Sequence, residues 1–202
     1  MISPIDVFNS WVSNGKDEGM EKNHSLAVHS MIQMLIGKSN KQFSFIDAGC
    51  GNGWVVRKVN LYDLCSYSIG VDGSKNMIDK AKKIDSTGNY ICSDLMKWKP
   101  KEKVDFVHSM EVLYYFENPS KLLKHIYDFW LKKGGTLIVG VDFYKENILS
   151  HSWPESLNTT MALLSKKEWF KCFTQSGFRN VELSQINSSN DFEGTLVIKG
   201  NS

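Results

Sequence analysis

A single α/β domain, with a mostly parallel sheet covered by helices on both faces, is the fold class this sequence predicts. Three observations carry that expectation. Short apolar runs alternate with segments of helical periodicity from residue 43 to the end of the chain. The runs are nearly continuous rather than strictly alternating, as in strands buried on both faces. Several of them end in an acid or a glycine, which marks a strand passing into a turn. A length of 202 residues suits one domain with a sizeable core, and 42% hydrophobic with 23% charged residues is a globular balance.

Apolar residues recur at helical spacing over 4–14 and again over about 23–36, where Leu26, Met31, Met34 and Leu35 suggest one buried face. The glycine-containing, charged stretch NGKDEGMEKN between them reads as a loop able to hinge. Residues 43–48 form the first strand, followed by a helix over about 52–61. The next run, 68–71, ends in Asp72 and precedes a helix over 74–84. Strands at 89–92 and 104–109 follow, then a helix over 119–131 opened by Pro119, whose missing N–H has no partner in a first turn. A strand at 136–141 and a helix at 166–175 lead to closing strands at 180–183 and 194–199. The polar link SQINSSND between the last two is short enough for an antiparallel hairpin.

The formal net charge is only +2, with lysines scattered among acids, so no electrostatic case arises for nucleic acid or membrane as the main partner. Cys50, Cys65, Cys92 and Cys172 form no CxxC pair, which leaves neither zinc-site nor redox-motif spacing. The opening residues lack a basic segment followed by an apolar stretch, and no run of 18 apolar residues occurs; the expectation is a cytoplasmic protein without membrane insertion.

The strongest functional signal is FIDAGCGNGW at 45–54. Gly49, Gly51 and Gly53 follow a strand and open a helix, where the absence of side chains lets a ligand approach the backbone. A dinucleotide fingerprint would need glycine at position 54, and Trp54 stands there. Asp47, beside the turn, is a poor neighbour for a pyrophosphate but a good one for a cationic ligand. Asp72 lies 23 residues beyond Gly49, a spacing that suits a carboxylate accepting from ribose hydroxyls, or alternatively a helix cap before Ser74. Gly73 keeps the chain slim, and Met77 can cover a purine ring or simply fill the core. At the third strand end, Ser93, Asp94 and Leu95 are placed to read an adenine edge, unless Asp94 is an ordinary solvent-facing turn residue. The fourth strand ends in His108, Ser109, Met110 and Glu111, at the sheet edge where open α/β folds bind ligands.

These motifs resemble those of the class I, Rossmann-like S-adenosylmethionine-dependent methyltransferases, especially the small-molecule branch with the ubiquinone and menaquinone C-methyltransferases. The resemblance covers about 43–141 and, by order, the last two strands. It implies a three-layer seven-stranded sheet in the order 3-2-1-4-5-7-6 with the last strand antiparallel, and S-adenosyl-L-methionine as cofactor, leaving S-adenosyl-L-homocysteine. It implies that Asp47, Gly49, Cys50, Gly51 and Gly53 wrap the methionine part, that Asp72 binds the ribose hydroxyls, and that Asp94 with Leu95 reads the adenine. His108, Ser109 and Met110 match the segment after the fourth strand. Residues 1–40 are then expected as N-terminal helices forming a lid, 41–141 as the cofactor core, 142–164 as a cover over the acceptor, and 165–202 as the closing helix and strands.

Methyl transfer from a sulfonium is an in-line displacement that requires no metal and no covalent residue. His24, His151 and Tyr144 are the candidates for moving a proton or holding the acceptor, with His24 in the lid the first to test. Trp153 is a candidate wall, and Glu111 or Asp142 can orient a cationic acceptor by charge. A small-molecule enzyme, monomeric or homodimeric, is the main expectation. A protein or RNA methyltransferase is the alternative, though the DPPY or NPPY motif of the amino- and base-methylating enzymes is replaced by HSME. A non-catalytic cofactor-binding partner subunit is the third.

Overall fold

The computed structural model describes residues 1–37 and 40–202; positions 38 and 39 of the expected 1–40 lid lie outside the described residues. The chain runs α1 (Pro4–Asn14), α2 (Lys16–Ile36), β1 (Phe43–Ala48), α3 (Trp54–Val59), β2 (Cys65–Asp72), α4 (Lys75–Ile84), β3 (Tyr90–Cys92), β4 (Val104–Met110), α5 (Pro119–Phe129), β5 (Leu131–Val141), α6 (Trp153–Ser156), α7 (Lys166–Gln175), β6 (Arg179–Ile186) and β7 (Thr195–Asn201).

The seven strands form one sheet in the order β3-β2-β1-β4-β5-β7-β6. The pairs from β3 across to β5 are parallel, and β7 runs antiparallel to both of its neighbours. All six residues of β1 are buried, as its continuous apolar run requires of a central strand with helices on both faces. One core cluster, centred on Val107, Leu122, Ile126, Trp130, Trp169 and Phe173, packs α5 and α7 onto one face. A second, with Val28, Met31, Ile32, Phe45, Val55 and Ile138, packs α2 and α3 onto the other.

Helix ends follow their local chemistry. Ser3 accepts from the Asp6 N–H before Pro4, Ser74 accepts from the Met77 N–H, and Ser165 with Glu168 forms a reciprocal capping box. The expected hinge at 14–23 is not a loop. Only Gly15, at φ 72°, leaves the helical conformation, turning α1 into α2 in one residue. The charged residues after it are good helix formers, and Gly19 is tolerated inside α2. The buried face of α2 also differs: Leu26 and Met34 are exposed, while Ala27, Val28, Met31, Ile32, Leu35 and Ile36 face the core. Apolar residues are so dense over 26–36 that periodicity alone admits more than one face.

The strand order reverses between the parallel neighbours β1 and β4, so the crevice outside their carboxyl ends is where such sheets take ligands.

Candidate active site

A cleft of about 270 Å³ opens at that crevice, lined from β1, β2 and β4 below and from α1 and α2 above. The three glycines after β1 are not equivalent. A Cβ on Gly49 would lie 2.3 Å from Val112 Cγ2, and one on Gly53 would lie 2.4 Å from Tyr90 Cε1, so both are glycine because side chains already fill that space. Gly51 has φ 51°, and its Cβ would meet only Met77 Sδ at 4.0 Å. It presents bare backbone to the cleft. Gly49, Cys50 and Gly51 line it and Gly53 does not.

Asp72 accepts from the Gly51 N–H at 2.9 Å and the Ser74 N–H at 2.7 Å. Burial pushes its carboxyl above the usual range although those two donors pull it down. The cap of α4 is Ser74, so Asp72 braces the glycine turn against the helix start and faces the cleft with its remaining lone pairs. Asp47, buried, pairs with His108 Nδ1 at 2.7 Å. The other His108 nitrogen, Nε2, is buried with no protein partner, and His108 lines the cleft. Gly73, Met77, Asp94, Leu95 and Met110 also line it. Ser93 and Ser109 do not: the Ser93 N–H is bound to Asp72 O, and the Ser109 hydroxyl is spent on Ala48 O at 2.8 Å inside the sheet.

Ile5, Phe8, Asp17, Met20 and His24 of the two N-terminal helices form the roof. It is latched at two points. Asn9 accepts from the Ser74 hydroxyl at 2.7 Å and, through its carbonyl, from Asn76 Nδ2 at 3.1 Å. Asp17, only 2% exposed, pairs with Lys80 at 2.6 Å and accepts from Asn52 Nδ2 at 3.0 Å. The sequence reading missed both, because Asp17 fell in the stretch taken as a loop and Asn9 carries no motif.

Three titratable groups from distant parts of the chain meet under the roof: His24, Glu111 and Asp142 bring one side-chain atom each within 4.8 Å of one another. His24 Nδ1 faces the Met20 carbonyl at 3.0 Å and Nε2 faces Asp142 Oδ2 at 3.4 Å. Both nitrogens meet acceptors, which is the arrangement of an imidazolium. Burial opposes that charge, but the Asp142 hydrogen bond and the Glu111 and Asp142 charges outweigh it and raise the pKa. Glu111 is 4% exposed and has φ 59°, a left-handed conformation that costs a bulky residue about 1–3 kcal/mol. Its Oε1 accepts from the Asp142 N–H and its Oε2 is 2.8 Å from the Tyr114 hydroxyl. Burial, reinforced by the Asp142 charge, pushes its carboxyl up to about 8.

The other two proton-transfer candidates lie elsewhere. Tyr144 is fully buried in the core, donating to Gly194 O at 2.9 Å and accepting from Gln185. His151 is exposed, with Nε2 3.1 Å from the Lys145 carbonyl. Neither lines the cleft, nor does Trp153, which stacks on Phe143 instead. The 142–164 segment therefore does not cover the cleft directly. Through the Ile2 N–H to Asn158 O and the Thr159 hydroxyl to Ile2 O, it braces the start of the roof.

A glycine turn, a strand-end carboxylate and a cleft at the sheet reversal together define a nucleoside-binding α/β domain. Comparison with known proteins narrows this: a family profile described as a methyltransferase domain matches residues 20–183, and the chain belongs to that family. Its cofactor is S-adenosylmethionine. Two malonyl-[acyl-carrier protein] O-methyltransferases are similar in sequence. The one from Ilyobacter polytropus is 27% identical over 52% of this chain and 40% of its own length, and the one from Brevibacillus brevis 24% over 74% and 59%. The chain thus spans roughly two fifths to three fifths of the length of these relatives. Among solved structures, a chain of the complex between the Haloferax volcanii Trm112 methyltransferase activator and a methyltransferase matches with a TM-score of 0.81, at 25% identity over 96% of both chains. Among the described residues, no helix is long and apolar enough to cross a membrane.

Proposed function

We propose that this protein transfers the methyl group of S-adenosylmethionine to a small-molecule acceptor held under the α1–α2 roof. The observation that carries the acceptor class is the enclosure of the cleft: Ile5, Phe8, Met20 and His24 close it from above, and Val112, Tyr115 and Phe116 wall its side. A protein or RNA acceptor asks for an open docking surface instead.

The residues present suit the cofactor. Gly51 leaves backbone bare where a Cβ would project into the cleft, and the orphaned His108 Nε2 offers a polar partner in a dry wall. In this reading Asp72 holds the ribose hydroxyls, Asp94 with Leu95 reads adenine beside Met77, and Asp47 with His108 and the backbone of 49–51 receives the methionine end. S-adenosylmethionine supplies an electrophilic methyl carbon on a sulfonium. The chain aligns the acceptor with it, keeps water out through the apolar roof, and surrounds the positive cofactor with carboxylates. Residues 41–141 act as the cofactor core, 1–40 as the roof, and 142–164 and 165–202 as its support and the closing elements.

A carbon acceptor, as the quinone-type resemblance suggests, and an oxygen acceptor, as in the malonyl-carrier relatives, both share this cofactor half. The test is calorimetric titration with S-adenosylhomocysteine, then transfer of labelled methyl to a cell extract split by size. One-to-one product binding with label in the low-molecular-mass fraction supports the reading. Label in protein or RNA overturns the small-molecule assignment, and no binding overturns the cofactor site.

A further inference from the structure

Charge in the cleft is one-sided. Asp17, Asp47, Asp72, Asp94 and Glu111 line it together with His24 and His108, and among the described residues no lysine or arginine does. Most of these carboxylates are already matched. Asp17 pairs with Lys80, Asp47 with His108, and Asp94 with Lys97 at 3.5 Å, while Asp72 is held by two backbone N–H groups. Asp142, behind the lining, is matched by His24. Asp72 and Glu111 are the exceptions, since both have only neutral donors as direct partners: two backbone N–H groups for Asp72, which the reading above gives to the ribose, and the Asp142 N–H with the Tyr114 hydroxyl for Glu111, which that reading leaves unused. A buried carboxylate without a cation of its own is costly, and so is the left-handed backbone that holds this one at the cleft wall. The neighbouring wall offers Phe8, Tyr115 and Phe116, aromatic side chains of the kind that favour an organic cation over an anion.

We propose that the acceptor is an amine that enters the cleft as its ammonium ion, and that Glu111 is the group that pairs with it and takes its proton. This rests on the methyltransferase reading above and names the acceptor for it. The ammonium N–H bond breaks as its proton passes to a Glu111 carboxylate oxygen. The freed nitrogen lone pair forms the new N–C bond while the C–S bond breaks with its electron pair left on sulfur. Glu111 then gives the proton to solvent. The groups facing Glu111 are Asp142 from the end of β5, His24 from α2, and Tyr114 and Tyr115 from the turn after β4. Burial and then the Asp142 charge disfavour a proton-free Glu111 while His24 supports it, so the carboxyl is pushed up to about 8, matched to accept a proton from a desolvated ammonium. A carboxylate-bearing acceptor of the malonyl kind would meet Glu111 and Asp72 with, among the described residues, no lysine or arginine in the lining to receive it.

The test uses the full chain saturated with S-adenosylhomocysteine, titrated with 2-phenylethylamine and 2-(imidazol-4-yl)ethylamine against phenylacetate and malonate. The amines are expected to bind and the acids not, with proton release on amine binding near pH 7, read from the buffer dependence of the heat. Glu111→Gln keeps an acceptor for the Asp142 N–H and sets an amide donor against the Tyr114 hydroxyl oxygen, as the protonated carboxyl does. It is expected to retain product affinity yet lose roughly thirtyfold or more in amine affinity, and to abolish methyl transfer to any amine that the wild type methylates in the presence of S-adenosylmethionine. Product binding without amine binding, tighter binding of the acids, or unchanged amine affinity in Glu111→Gln overturns the proposal and leaves the cofactor reading intact. Failure to bind S-adenosylhomocysteine overturns both.

Discussion

Glu111→Gln also makes a prediction about folding that needs no substrate. In the unfolded chain Glu111 titrates near its ordinary 4.5, and in the folded protein burial and Asp142 raise it to about 8. The folded state therefore binds more protons between those values, and stability falls as pH rises through the window. At about 1.4 kcal/mol per pH unit, the full loss is on the order of 5 kcal/mol, an upper limit that local relaxation reduces. Below about pH 4.5 both states carry the proton and the penalty vanishes. His24, also raised, loses its contribution over the upper part of the same range, but it is present in both proteins. Because the Glu111 charge is one cause of the raised His24 pKa, the comparison of variant with wild type reads Glu111 together with its coupling to His24. Glutamine keeps an acceptor for the Asp142 N–H and, like the protonated carboxyl, turns a donor to the Tyr114 hydroxyl oxygen, so the two proteins should be nearly equal at pH 4.5. At pH 8.5 the variant should be more stable by about 2–5 kcal/mol. Urea unfolding at the two pH values measures this directly. A difference that stays flat across the range would mean that the Glu111 carboxyl is not held neutral by its surroundings, and the account of the cleft wall would fall with it.

Asp72→Ala should weaken S-adenosylhomocysteine binding by roughly one to two orders of magnitude, because it removes charge-assisted acceptors at the strand end; unchanged calorimetric affinity in a folded variant would refute the ribose role. Gly51→Ala and Gly49→Ala should part company. The first keeps the fold at a cost of about 1 kcal/mol but loses product affinity, whereas the second drives its methyl into Val112 and lowers the melting temperature by several degrees. Asn9→Ala removes the side-chain latch on Ser74 and should speed product dissociation more than it changes stability, as stopped-flow displacement would show. Tyr144→Phe should cost about 1 kcal/mol in stability and leave product affinity unchanged, since its hydroxyl serves Gly194 and Gln185; weakened product binding would return it to the site.

The half of the cleft that we propose for the cofactor was legible because its signals are local. The run ending at Ala48, the glycines after it and Asp72 at the next strand end each announce a strand, a turn and a strand tip within a few residues; the alternation gives a mostly parallel sheet, and its order came only through the family resemblance those motifs carry. Errors arose where one feature served two ends. Gly53 fits the motif but is glycine to admit Tyr90, and Ser109 sits at a strand end but turns into the sheet. The charged stretch 16–23 looked like a loop because a helix that is polar on its outer face and closes a cleft with Asp17 and Met20 shows no clear apolar stripe.

The acceptor half has no local signature at all. Its three titratable groups come from α2, from the turn after β4 and from the residue after β5, and nothing in the spacing of His24, Glu111 and Asp142 announces that they meet. What marks the place in the structure is a conflict among levels: a glutamate in a left-handed backbone, buried, with no cation of its own. A packed core has no use for such a residue, and a surface loop would hydrate it. A cleft that must receive a positive cofactor and then a second cation, and strip that second cation of a proton, accounts for both the strain and the missing partner. On that argument the net charge of the chain, only +2, was uninformative about ligands because it sums the whole surface, whereas Asp17, Asp47, Asp72, Asp94 and Glu111 line the cleft and, among the described residues, no lysine or arginine does.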